Sequence, residues 1–260
     1  MDLKTAKNLI KLNHVFYQTI GNFFDSSRNY AWPGWNRLVD RISQLAARKS
    51  ERINILDLGC GNARFAEFLF NKLALRDFNY VGVEYSDCLI DRAKERIEKL
   101  QIENYKLINS ELVIEDWEKY LSMKNYDLIT LFAVMHHIPS IELREKLLKK
   151  VKSLMSENSL FVITFWKFKD IDRLRKRILD KSGVEFKSVL EKFNINENEF
   201  ETEDYILDWE RGGKAFRYCH YYSSKEAADL LAKTGFQVMD SFLDDGKERV
   251  VNEYFICKLK

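Results

Sequence analysis

The sequence predicts an α/β fold: an open, mainly parallel sheet with helices on both faces. Three observations carry this. Apolar runs of strand length alternate with stretches whose apolar residues recur at helical spacing. The stretch Ile53-Asn54-Ile55-Leu56-Asp57-Leu58-Gly59-Cys60-Gly61 takes one such run through a glycine turn into a helical pattern carrying Phe65, Phe68 and Leu69. A second buried run, Tyr80-Val81-Gly82-Val83-Glu84, ends like the first in an acid, 27 positions after Asp57.

The elements follow in order. Residues 1–24 read as a helix, with Leu9, Ile10, Leu12, Val15, Phe16 and Ile20 as its apolar positions. An aromatic stretch with one arginine follows, from Phe23 through Arg28 and Trp32 to Trp35. It suits either a lid on the substrate side or an anchor holding the leading helix to the core. Residues 36–49 read as a helix with Leu38, Val39, Ile42 and Leu45 inward. Past Glu84, Ser86 is placed to cap a helix over about 87–100, and Tyr105–Asn109 is a third strand. Tyr126–Met135 reads as a long fourth strand ending at His136-His137, followed by a helix over 140–155 and a fifth strand, Ser159–Trp166. Residues 167–181 read as a basic helix carrying Arg173, Arg175, Lys176 and Arg177, either a phosphate track or a solvated face. A second insert spans 183–200, and two extended stretches about Gly212-Gly213 form a hairpin. Ser223 or Ser224 opens a helix that Gly235 ends, before strands at Phe236–Val238 and Glu253–Cys257.

The whole chain sets bounds. Its 260 residues fit one domain with a helical lead-in over 1–50 and an insertion over about 167–222. Net charge is +2, so nucleic-acid contact would need a local patch. The four cysteines, Cys60, Cys88, Cys219 and Cys257, include no CxxC pair, which argues against a zinc site and for reduced thiols in the cytoplasm. No apolar run has the length of a membrane span, and Met1-Asp2-Leu3-Lys4 does not begin like a signal peptide.

The turn points to a ligand. A dinucleotide fingerprint would read GxGxxG, but Gly59-Cys60-Gly61-Asn62-Ala63-Arg64 lacks the third glycine, and Asp57 precedes it. An acid here suits a cationic ligand end, and Glu84 suits the two hydroxyls of a ribose. Acid, turn and acid at this spacing resemble the class I S-adenosylmethionine (SAM) methyltransferases, with Ala63 at the position of that motif's third glycine. The resemblance implies a Rossmann-like sheet of seven strands, the last antiparallel. It assigns SAM to Asp57, Gly59, Gly61, Glu84, Tyr85, Glu111 and Phe132. Glu111 and Asp116-Trp117 follow the third strand, where an acid and an aromatic would meet adenine, unless they are surface residues.

Three further stretches narrow the match: Tyr17 to Trp32, Ala133-Val134-Met135-His136-His137, and Trp209 to Tyr222 with Arg217-Tyr218-Cys219-His220. Together they resemble the wobble-uridine tRNA methyltransferases, with Cys219 where that family has a second tyrosine and Glu226-Ala227 in place of Glu-Leu. That resemblance implies methylation of the carboxylate of 5-carboxymethyluridine, tRNA as partner, and often a small zinc-binding activator protein on one sheet edge. On this reading Arg28, His136, Arg217 and His220 serve catalysis, and Tyr17, Trp32, His137, Tyr218 and the basic helix hold the substrate.

The chemistry fits. A carboxylate is ionised at neutral pH and needs no base, and an arginine fork clamps it. A hydroxyl acceptor would instead use His136 or His137 as base. A metal between those histidines lacks a third ligand of suitable spacing, so none is expected. Two rival functions remain, a small-molecule O-methyltransferase and a non-catalytic scaffold; the intact Asp57 and Glu84 weigh against the second.

Overall fold

The computed structural model describes residues 1–26, 30–49, 51–72, 78–121, 123 and 125–260. Helix α1 (Leu3–Ser26) buries Leu9, Leu12, Phe16 and Ile20 at helical spacing, as the sequence predicts. A 3-10 turn (Pro33–Leu38) then leads into α2 (Val39–Ala47), so the helix expected over 36–49 is split in two. Pro33 suits the first position of such a turn because its missing N–H would find no partner there.

The next units alternate regularly: β1 (Ile53–Leu58), α3 (Arg64–Lys72), β2 (Phe78–Glu84), α4 (Asp87–Lys99), β3 (Tyr105–Asn109), β4 (Tyr126–Leu131), α5 (Ile141–Ser153) and β5 (Met155–Trp166). After β5 come α6 (Asp172–Arg175), α7 (Val184–Phe193), the pair β6 (Asp204–Trp209) and β7 (Ala215–His220), α8 (Ser224–Lys233), β8 (Phe236–Asp244) and β9 (Asn252–Leu259). The main sheet has seven strands in the order β3-β2-β1-β4-β5-β9-β8, with β9 antiparallel to both its neighbours. Strands β1 to β5 run parallel. Apolar clusters cover both faces, one around Leu56, Leu131 and Phe161, the other around Ile55, Phe65 and Tyr254. The order turns about at β1, with β2 on one side and β4 on the other. A crevice therefore opens beyond their carboxyl ends, where open α/β sheets hold ligands.

Two expected elements differ. The fourth strand ends at Leu131, not Met135, because Ala133 takes a left-handed φ of 55° and Met135–His137 coils into a 3-10 turn. That bend carries both histidines off the sheet and over the crevice. The expected basic helix over 167–181 is a 3-10 turn, Phe168–Asp170, and the four residues of α6. Burial of Phe168 and Ile171 interrupts it, and the following backbone pairs with β6: Leu179 donates to Ile206 and Asp208 to Arg177. The chain there satisfies a strand edge instead of its own helix.

Candidate active site

A cavity of about 410 Å³ lies over the carboxyl ends of β1, β2 and β4, a volume within the range of small-molecule sites. At one end is the turn after β1. Gly59 has φ +70°, and an added Cβ would sit 2.1 Å from Val134 Cγ2. Gly61 has φ +55°, but an added Cβ there would meet nothing within 4 Å. The first glycine serves the chain's own packing; the second leaves main chain open to a ligand.

Two acids flank this turn. Asp57 is buried on β1 and accepts from Thr130 Oγ1 at 2.7 Å and Tyr80 Oη at 2.9 Å. Among the described residues no cation pairs with it, and burial pushes its carboxyl up to about 6 despite these two hydrogen bonds. Glu84 accepts from the backbone N–H groups of Gly61, Tyr85 and Ser86 at 2.9–3.0 Å. Burial raises its carboxyl also, with those three donors opposing. Tyr85 stacks against His14 of α1 with ring centroids 4.2 Å apart. Glu111 lines the cavity, its carboxylate turned to the N–H groups of Val113 and Ile114 at 2.8 and 2.5 Å. Phe132 closes the floor against Trp35 and Phe65. Trp117, an expected adenine contact, is instead wholly buried in the core with Nε1 donating to Leu112 O, and Asp116 is exposed away from the cavity.

The other end is built by segments far apart in sequence. Arg217 of β7 is buried at 6% exposure, its guanidinium carbon 4.5 Å from the Trp166 ring, 4.9 Å from Phe16 and 5.7 Å from Trp209. Its Nε has no hydrogen-bond acceptor, and no carboxylate among the described residues pairs with it. A cation desolvated among aromatic faces and opening on a cavity can receive an anion. His137 lies beside it, Nε2 at 2.9 Å from Tyr17 Oη and Nδ1 at 3.0 Å from Tyr218 O. A carbonyl only accepts, so the shorter contact assigns the proton to Nδ1 and leaves Nε2 to accept from Tyr17; Asn13 Nδ2, 3.3 Å from Nδ1, is then a contact without a hydrogen bond. His136 packs between His137 and Trp166, and Trp32 stacks on Trp35 at the rim.

Other expected residues fall elsewhere. Arg28 lies outside the described residues. Tyr218 and His220 point away from the cavity, because successive strand residues face opposite ways and Arg217 takes the cavity side. The Tyr218 hydroxyl donates to Asp204 at 2.6 Å and accepts from Arg144 at 3.0 Å, while His220 bridges Asp204 and Glu226 at 2.7 and 2.9 Å. These two residues fasten the hairpin to α5 and α8 and do not reach a base or an acceptor. Arg173 lines the cavity mouth paired to Glu248 at 2.7 Å, whereas Arg175 pairs with Asp172 and Arg177 with Asp208 and Glu210. Lys176 is exposed, but the other three cations of the expected basic stripe are neutralised by Glu248, Asp172, Asp208 and Glu210.

The third metal ligand missing from the sequence spacing is present in space. Cys219 Sγ and the ring nitrogens of His136 and His137 can lie within 4.8 Å of one another. Burial pushes that thiol up to about 12, and the two His137 nitrogens lie within hydrogen-bond reach of Tyr17 and Tyr218. Sequence reasoning missed Phe16, Asn13 and Trp166 at this end. Trp166 was findable from its place at a strand's carboxyl end, and Asn13 as a polar residue inside an apolar stripe.

Residues 25–241 match the family described as a methyltransferase domain. An uncharacterized protein of Methanocaldococcus jannaschii is 28% identical over 74% of this chain, which spans 42% of that relative's length. A putative methyltransferase of Encephalitozoon cuniculi is 25% identical over 87% of this chain and 88% of its own. In structure, a SAM-dependent methyltransferase from Clostridium acetobutylicum superposes with a TM-score of 0.61 over 96% of this chain and 98% of its own, at 14% identity, a likeness of fold. The residues present fit the cofactor: a buried acid with no cation beside it among the described residues for its cationic end, an acid held by backbone donors for its ribose, and open space over Gly61. With the family match spanning most of its length, the chain belongs to the methyltransferase-domain family, and its cofactor is S-adenosyl-L-methionine.

Proposed function

We propose that the chain methylates a carboxylate, that of 5-carboxymethyluridine or a related modified uridine at the tRNA wobble position. The observation that supports this most is Arg217, a buried guanidinium with no carboxylate partner among the described residues, caged by three aromatic rings and facing the cavity that holds the cofactor turn. SAM, when bound, would supply a methyl already activated on a sulfonium, whose sulfur would leave as a neutral thioether when the carboxylate oxygen takes the methyl, and an ionised carboxylate has no proton to lose. The protein's part is to place the acceptor and exclude water. Arg217 would hold the anionic arm by its fork of donors. Trp166, Trp209 and Phe16 keep that fork dry and limit its directions, and Tyr17 and His137 bound the space between it and the cofactor. A flipped base needs an aromatic neighbour, and Trp32 at the rim is one.

The nucleic-acid side of this reading rests on the hairpin and histidine motifs rather than on the basic residues of 173–177, most of which are ion-paired. The activator, if this chain shares that habit, would meet β3 or β8, the sheet's two edges. The buried thiols of Cys60, Cys219 and Cys257 and a tRNA substrate fit the cytoplasm. No helix among the described residues is long and apolar enough to cross a membrane.

The test compares modified nucleosides in tRNA from cells with and without the protein, and turnover in vitro on tRNA bearing 5-carboxymethyluridine. The methyl ester should appear only with the protein. A chain that binds SAM but leaves this tRNA unchanged, while methylating small carboxylic acids, would move the assignment to a small-molecule O-methyltransferase. A chain that fails to bind SAM would be a scaffold.

A further inference from the structure

We infer that Asn13 is a positioning residue of the acceptor site, holding β7 and His137 in register with one another and so setting where Arg217 meets the acceptor. This rests on reading Arg217 as the acceptor's cation.

Asn13 stands in the middle of the buried stripe of α1, at i+4 from Leu9 and i−3 from Phe16, and is 7% exposed. An amide so placed is costly unless each of its polar atoms is answered. All are. Oδ1 accepts the Tyr218 N–H at 2.7 Å, and Nδ2 lies 3.2 Å from Tyr218 O and 3.3 Å from His137 O. The side chain therefore pairs with one residue of β7 as an adjacent strand would, giving and taking one hydrogen bond each. The side of Tyr218 turned from β6 would otherwise be an open sheet edge under a helix.

The same Tyr218 carbonyl receives His137 Nδ1 at 3.0 Å. Asn13 thus fixes the acceptor that selects the His137 tautomer, and Tyr17, one helical turn on and on the same face, answers the other ring nitrogen. Arg217 is bonded directly to Tyr218, so its Cα lies about 3.8 Å from a Cα that Asn13 pins. Phe16, one wall of the guanidinium's cage, belongs to the same helix. One amide ties together helix, histidine turn and hairpin, which share no sequence neighbourhood.

Two variants and two readouts test this. Asn13→Ala removes all three hydrogen bonds and the 3.3 Å approach of Nδ2 to His137 Nδ1; Asn13→Asp keeps the acceptor for Tyr218 N–H and removes the donors. Turnover on tRNA bearing 5-carboxymethyluridine should fall about 10- to 100-fold in Asn13→Ala, the scale of one or two hydrogen bonds. The loss should be smaller in Asn13→Asp. SAM affinity by calorimetry should stay within about twofold, as Asn13 makes no contact with the turn after β1. Nitrogen-15 spectra of histidine-labelled protein should show one Nδ1–H tautomer at His137 in the parent and a tautomer mixture in Asn13→Ala. That spectrum needs no acceptor, so it judges Asn13 even if the tRNA proves the wrong substrate. If Asn13→Ala does not fold, Asn13→Asp is read by the same two measurements. An unchanged tautomer with parental turnover would overturn the inference, as would an equal fall in SAM affinity and turnover.

Discussion

The two ends of the cavity are made by opposite means. The cofactor end is assembled by neighbours in sequence: Asp57, Gly59 and Gly61 leave one strand, and Glu84 and Tyr85 leave the next. Backbone groups do much of the work there, as when Glu84 takes three N–H groups from two successive turns. The acceptor end is assembled from α1, the turn after β4, the end of β5 and the hairpin, and side chains do nearly all the work. The first end repeats a geometry that any parallel β–turn–α unit offers. The second depends on tertiary placement of distant segments, and it is at such a place that a fold shared among many methyltransferases must differ if substrates differ.

The two glycines of the turn sharpen this most. Gly59→Ala forces a methyl against Val134 at φ +70° and should cost about 2 to 4 kcal/mol of stability, read from denaturant midpoints. Gly61→Ala meets no protein atom, so its cost should be about 1 to 2 kcal/mol of backbone strain, with most of its damage falling on SAM affinity. If both lose stability equally and SAM affinity alike, the turn is only a packing unit.

The next contrast sets one end against the other. Asp57→Ala and Glu84→Ala should each weaken SAM binding by about 1.5 to 3 kcal/mol, the scale of a charge-assisted contact. Arg217→Ala should cost turnover by a similar amount and leave SAM calorimetry unchanged, with Arg217→Lys intermediate because it keeps charge without the fork. Parental turnover in both Arg217 variants would make that residue structural and remove the carboxylate reading.

How far the sequence could be read follows the same divide. Strand, glycine turn and terminal acid are local signals, so the strands that bring Asp57 and Glu84 to the cavity were legible, while the count of seven strands came with the methyltransferase resemblance. The hairpin was legible too, and strand alternation within it separates Arg217 from Tyr218. What it left open was which side faces the cavity, and Tyr218 and His220 proved to face Arg144, Asp204 and Glu226 instead. That network joins α5, β6, β7 and α8, and no local pattern predicts it. The basic run at 173–177 misled for a related reason: its charge was visible, but the acids that neutralise it, Glu248 and Glu210 among them, come from elsewhere.

Acidity offers a smaller test. Folding raises the Asp57 carboxyl from 3.8 to about 6 through burial. The folded, ligand-free chain therefore binds this proton more tightly than the unfolded one, and its contribution to stability falls as pH rises through that window. A cationic ligand end beside Asp57 favours the ionised form. SAM affinity should then rise by up to tenfold per pH unit below about 6 and level off above it, with Glu84 adding in the same direction. Flat calorimetric affinity from pH 5 to 7 would mean that Asp57 does not face the cofactor's charge.

The finest contrast lies within the turn itself, at Ala63. It holds φ +58°, so a residue with a Cβ occupies a left-handed position that a glycine would take without strain. Its backbone bonds, N–H to Cys60 O at 3.0 Å and carbonyl from Glu67 N at 3.2 Å, do not need the methyl. The methyl is fully buried in the cluster around Phe65 and Ile55 and does not line the cavity. Ala63→Gly should relieve about 1 to 2 kcal/mol of strain and forfeit roughly 0.8 kcal/mol of methyl burial. The freer unfolded chain takes back some of the remainder. The net is a gain of about 0.5 kcal/mol, a rise in Tm of about 1 to 2 °C, with SAM affinity unchanged. Should Tm fall instead, the methyl's packing outweighs the strain, and alanine is the better residue for this turn.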